Sequence, residues 1–189
     1  MIVLAVTFLV LALVIALIPR SAQLPQRAEL PAWVHAGSAV VALGAAALAG
    51  YIADAPAAAV QVTVLVIAVA VAAAGGSPIV LGAFSIAHRQ AARRRSPGID
   101  GGDESAALPD DDEGPLRGGF TIGILERIAV TVSILTAWPQ GIAIVMAVKG
   151  LARYPELRNP DASEQFIIGT ASSVLWAAAA SGTAYLIIT

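Results

Sequence analysis

Residues 57–95 read AAAVQVTVLVIAVAVAAAGGSPIVLGAFSIAHRQAARRR, and the fold class turns on this stretch. From Ala57 to Ala87 it carries no charge, and roughly 20 apolar residues suffice for a helix to cross a hydrocarbon core about 30 Å thick. As one helix the apolar part is roughly 46 Å long at 1.5 Å per residue, more than a bilayer needs. Gly75, Gly76 and Pro78 lie inside it. A proline removes one helical N–H and its ring collides with the carbonyl four residues back, so a kink or helix break is expected there. Two readings follow. In one, a tilted helix runs past the bilayer into a basic amphipathic end, His88 to Arg95. In the other, a broken helix frees backbone groups to line a site, as in some transporters.

The same apolar character recurs on both sides. The chain of 189 residues is 58% hydrophobic and only 13% charged, against roughly 25% charged for an average soluble domain. Ile2 to Ile18 is an uninterrupted apolar run ended by Pro19 and Arg20. Nothing basic precedes it apart from the amino terminus, and no small-residue cleavage site follows, so it reads as a retained first helix rather than a signal peptide. A polar link with Pro25 leads to Pro31, and Trp33 stands where an indole settles at a membrane interface. A second helix is expected over Ala32 to Ala53, closed by a turn at Asp54, Ala55 and Pro56, because the residue before a proline disfavours helical geometry.

After the arginines the composition changes abruptly. Residues 97–117 are rich in Gly, Pro, Asp and Glu, with almost nothing to bury, and read as a disordered acidic cytoplasmic linker. Its run Asp110 to Glu113 lacks the glycine turn and ligand alternation of a calcium loop. Helix four is expected from Gly118 to Ala137, helix five from Gln140 to Ala152 after a turn at Trp138 and Pro139, and helix six from Glu164 to Ile188. The reading is an all-α, polytopic transmembrane helix bundle of about six spans: a three-helix membrane half at 1–96, the linker at 97–117, and a three-helix membrane half at 118–189.

Six alternating spans place the links 19–31, 88–117 and 153–163 on one side. Every lysine and arginine, from Arg20 and Arg27 to Arg153 and Arg158, lies in those links or in the helix ends that join them, and none lies in the turns at Asp54 and Trp138. Basic residues favour the cytoplasm, so that side is expected to be cytoplasmic and both termini outside. Alanine-rich, arginine-over-lysine usage points to the inner (plasma) membrane of a GC-rich bacterium.

One constellation of intramembrane charges stands out: Glu126 and Arg127 in helix four, Lys149 and Arg153 in helix five, and Glu164 at the start of helix six. Counted from Pro139, Glu126 lies roughly 20 Å deep, Lys149 about 15 Å and Arg153 about 21 Å. A carboxylate at such depth must pair, reach water or take up a proton. The antiparallel neighbour makes Lys149 or Arg153 the natural partner of Glu126, as a static brace. Ionisable groups in a membrane are also default functional candidates, so a charge pair lining a transport site is the competing reading. Gly119 and Gly123 share a face of helix four, and Gly37, Gly44 and Gly50 punctuate helix two, where small residues let helices approach closely.

Residues Gly119, Gly123, Leu125, Glu126 and Arg127, then Ala143, Ile144, Ala147, Lys149 and Arg153, then Glu164, Ile168, Gly169, Thr170 and Ser173 form three segments, GxxxGxLER, AIxxxAxK with an arginine four residues on, and ExxxIGT. This pattern, over 119–173, resembles an uncharacterised family of small bacterial polytopic membrane proteins. The resemblance implies the helical membrane fold and brings no activity with it. The family has larger apolar residues where this chain has Ala171 and Ser172.

The function classes narrow by exclusion. With no cysteine, thiolate metal sites and cysteine nucleophiles are out. His35 and His88 stand far apart without a second nitrogen ligand, so neither a metal nor another cofactor is expected. No phosphate-binding loop occurs, no serine or threonine has an evident catalytic base, and the arginine cluster is accounted for by topology rather than nucleic acid. The expectation is a non-enzymatic scaffold or accessory subunit whose partners are the bilayer and a second protein or a homo-oligomer. The alternative is a small-solute or proton-coupled carrier using Glu126 and Lys149.

Overall fold

A backbone removed from water has to satisfy its own N–H and C=O groups, and a helix does so within a single segment. The computed structural model describes residues 1–17, 32–95 and 119–189. Among them are six α-helices and no strand: α1 (Ile2–Leu17), α2 (Ala32–Tyr51), α3 (Ala58–Arg95), α4 (Gly119–Leu135), α5 (Pro139–Arg153) and α6 (Pro160–Ile188), with a 3-10 turn at Glu156–Arg158. The expected linker at 97–117 and the link at 19–31, with Arg20, Arg27 and Arg117, lie outside the described residues, as do the side chains of His88 to Arg95.

Three helices are long and apolar enough to cross a membrane, over Trp33–Tyr51, Ala58–Ala87 and Ala162–Ile188, so the chain has the helices of a membrane protein. The others are shorter. α1, α4 and α5 have 16, 17 and 15 residues, or about 24, 26 and 22 Å at 1.5 Å per residue. Helix six starts earlier than Glu164: Pro160 occupies its first turn, where a missing N–H costs nothing.

α3 corrects one expectation. It runs as a single helix of 38 residues with Pro78 inside, so Gly75, Gly76 and Pro78 do not break it. Pro78 withholds one donor, the N–H that would reach the Ala74 carbonyl. α4 and α6 pack against this segment and donate to the Ala73 and Val71 carbonyls, one and three residues before the one that Pro78 frees.

α3 and α6 form the centre. α3 packs against α1, α2, α4 and α6, α6 also packs against α2 and α4, and α5 lies along α4. The N-terminal and C-terminal helices therefore share one core. That core is made mostly of small residues at helical spacing: Ala39, Ala42, Ala46 and Ala49 on α2, Val64, Ala68, Val71 and Ala72 on α3, and Trp176, Ala177, Ala180 and Ala184 on α6. Small side chains bring backbones close enough for dispersion and polar contacts to hold helices together in lipid. The alanines carry this role more than the glycines do. A side chain at Gly37, Gly44 or Gly119 would meet open space, and only Gly50 of α2 lies against a neighbour, Ile187. Large apolar residues such as Val41, Val66, Val148 and Leu175 face outward.

The turn between α4 and α5 is a tight stop. Trp138 N–H donates to the Ser133 carbonyl at 2.8 Å and Ala137 N–H to the Ile134 carbonyl at 3.0 Å, the paired bonds of a Schellman ending. Ala137 occupies the left-handed position, with φ 53°, before Pro139 opens α5. An alanine there is strained by about 1 kcal/mol, a cost that glycine avoids. Ala137→Gly is accordingly expected to stabilise the protein by about that amount, read as a higher thermal unfolding midpoint in detergent; an unchanged or lower midpoint would show that the turn is not under strain.

Candidate functional site

Gly75 and Gly76 are close-approach positions. A Cβ on Gly75 would overlap the indole of Trp176, and one on Gly76 would overlap the guanidinium and Cδ of Arg127. The two bulky side chains use the space to reach the α3 backbone. Arg127 Nε and Nη2 both donate to the Ala73 carbonyl, at 3.1 and 2.9 Å, and Trp176 Nε1 donates to the Val71 carbonyl at 3.0 Å. On its other side the guanidinium faces Gly123, whose Cβ position would lie 3.3 Å from Nη1. Arg127 is thus held between two glycines, 4% exposed. Among the described residues it has no salt-bridge partner, and both of these bonds go to a backbone carbonyl.

Beside it, Lys149 Nζ on α5 is paired with Glu126 Oε2 on α4. The pair is mostly covered, with side chains 21% and 15% exposed respectively, and Nζ also lies 5.9 Å from the ring centre of Phe166 on α6, at the edge of cation–π range. Attraction between such charges is far stronger in a low-dielectric bundle than in water.

These groups line a cleft of about 410 Å³ built from four helices: Ser77 to Phe84 just past the middle of α3, the first half of α4, the last turns of α5 and the first turns of α6. Glu126, Arg127, Lys149 and Arg153 all contribute to its wall. Glu164 does not; it is exposed on α6 and stands apart from the other four. Arg153 has an interaction of its own within the protein. The same wall carries Val80 and Phe84 from α3, Phe120 from α4 and Phe166 from α6. The hydroxyl of Thr170, also on the wall, is buried without a hydrogen-bond partner.

Several members of this site were not singled out from sequence. Trp176 reads as one aromatic in an apolar helix, and Phe84 and Phe166 as core. The available signal was the Gly75–Gly76 pair, which reads as a helix breaker in one dimension and marks two close approaches in three. His35 is buried on α2, away from the cleft, and among the described residues no group of three His, Cys, Asp or Glu could hold a metal ion.

Comparison with models of known families, with curated proteins and with solved structures finds no match. The resemblance over 119–173 rests on its motif residues alone.

Two outcomes test this geometry. Exchanging glycine for alanine inside a helix ordinarily stabilises by about 1 kcal/mol, and Gly44→Ala should keep that sign. Gly75→Ala and Gly76→Ala should reverse it, lowering the unfolding midpoint in detergent. For the ion pair, a double-mutant cycle with Glu126→Gln and Lys149→Met is expected to return a coupling of about 1 kcal/mol or more; a coupling near zero would mean that the pair does not fasten α4 to α5.

Proposed function

We propose that this is a non-enzymatic membrane protein of six spans that serves as a scaffold or accessory subunit, in the inner membrane of a bacterium, with residues 88–117 and 153–163 in the cytoplasm and both termini outside. The observation that carries the reading is how the intramembrane charges are used. Glu126 binds Lys149, and Arg127 binds the backbone of α3; both tie helices together. A carboxylate closed into an ion pair with lysine is poorly placed to load and release a coupling proton.

The alternation of the helices supports the six-span count. The cleft gathers the C-terminal parts of α3 and α5 and the N-terminal parts of α4 and α6 at one end, while Gly50 near the end of α2 meets Ile187 near the end of α6. Antiparallel neighbours produce both juxtapositions. α1, α4 and α5, short for a hydrocarbon core about 30 Å thick, span it by local thinning and by snorkelling of flanking residues such as Arg153.

A carrier is the second reading, favoured by the cleft itself, which reaches Glu126 and Lys149. The two separate on the native mass of the complex in a mild detergent, with copurifying proteins identified. A defined heteromer is the expected result; a bare homodimer or homotrimer would transfer the weight to the carrier. Orientation is tested directly, since the chain has no cysteine: a cysteine placed at Asp54 should react with an impermeant thiol reagent in intact cells, and one at Pro155 only after permeabilisation. The opposite pattern would invert the topology.

A further inference from the structure

We propose that the cleft between α3, α4, α5 and α6 is a binding site for an anionic phospholipid, with its phosphate on the cationic side chains and the start of an acyl chain along the apolar ones. The inference rests on the membrane embedding proposed above.

Four observations converge. The first is charge: among the described side chains of the wall, three are cationic, Arg127, Lys149 and Arg153, and one is a carboxylate, Glu126. Arg127 and Arg153 lie outside the Glu126–Lys149 pair, and guanidinium groups suit phosphate because their planar donor fork matches its oxygens. Arg127 already spends Nε and one Nη2 bond on Ala73, and its Nη1 lies at the floor beside Gly123. The second is an unused donor, the buried hydroxyl of Thr170, on the same wall.

The third is amphipathy. The same wall carries Val80, Leu81, Phe84, Phe120 and Phe166, apolar surface suited to hydrocarbon rather than to a hydrated ion. The fourth is position. The wall takes the last part of the apolar stretch Ala58–Ala87 and the first part of Ala162–Ile188, so it runs inward from where those helices leave lipid. α5 is packed along α4, and its Lys149 reaches toward Phe166 of α6, so the cleft spans the ends of both helices. The arginines at 89 and 93–95 follow immediately on α3, and basic residues near a membrane surface concentrate anionic lipid there. A volume of about 410 Å³ falls within the usual range for ligand sites; it accommodates a headgroup and the beginning of one chain, with the remainder in the bilayer.

The experiment uses the full chain in an uncharged detergent, titrated separately with phosphatidylglycerol, phosphatidylcholine and inorganic phosphate, with bound lipid and unfolding midpoint measured. Saturable binding and a raised midpoint are expected with phosphatidylglycerol alone. Gly119→Leu places a side chain in open space at the cleft wall, so it should fold and should abolish the effect. Arg153→Gln should weaken it about fivefold, as loss of one basic contact near a membrane surface implies. Equal response to phosphatidylcholine, or a phosphatidylglycerol response unchanged in Gly119→Leu, overturns the proposal. A response to inorganic phosphate without one to lipid also overturns it and assigns the cleft to a soluble phosphate-bearing solute. None of these results depends on the protein's being an accessory subunit, which the copurification experiment decides, or on its sidedness, which thiol labelling decides.

Discussion

Arg127 is a guanidinium deep among apolar helices, and much of the C-terminal packing follows from where it goes. Leaving it unpaired in a low-dielectric interior would be severely destabilising. The structure supplies a backbone oxygen, Ala73 on α3, one residue before the carbonyl that Pro78 deprives of its helical donor. For the side chain to reach that oxygen, α3 must present no side chain at position 76, and at position 123 of α4 a Cβ would stand 3.3 Å from Nη1. Two glycines, a proline and an arginine from two helices thus form one unit: the proline locally weakens the hydrogen-bond ladder of α3, and the arginine and Trp176 bind carbonyls in the same turn and a half.

That unit also explains why the cleft exists. Arg127 reaches from α4 to the α3 backbone and Trp176 from α6 to the same stretch, while α5 is fastened to α4 by Lys149 and Glu126. Helices that meet through alanine elsewhere in the bundle meet here through long side chains. Between them lies a cleft whose wall is mostly apolar and carries four charged and three aromatic side chains.

Different amounts of this were readable from the chain. The turns at Pro56 and Pro139 lie where the sequence places them, within the few residues by which helix ends are defined. The proximity of Glu126 to Lys149 follows from counting turns on either side of Pro139, because a short connection makes neighbours antiparallel and fixes which depths coincide. Gly75, Gly76 and Pro78 were open to the wrong inference, since each disfavours a helix when its neighbours are water or lipid. Gly37 and Gly44 were equally ambiguous: spacing alone does not say whether a small residue faces a helix or faces lipid, and these face neither partner nor core.

The sequence by itself determined the all-helical class, the positions of the helices and the membrane character, because apolar blocks bounded by prolines and charges act on the backbone locally. Tertiary structure decided which helices pack, that α3 continues through its proline, and that Arg127 ends on a carbonyl rather than a carboxylate. The physical reason is distance along the chain. The bonds that decide these points join residues 54 and 105 positions apart, and no local preference of either residue specifies the oxygen it will meet.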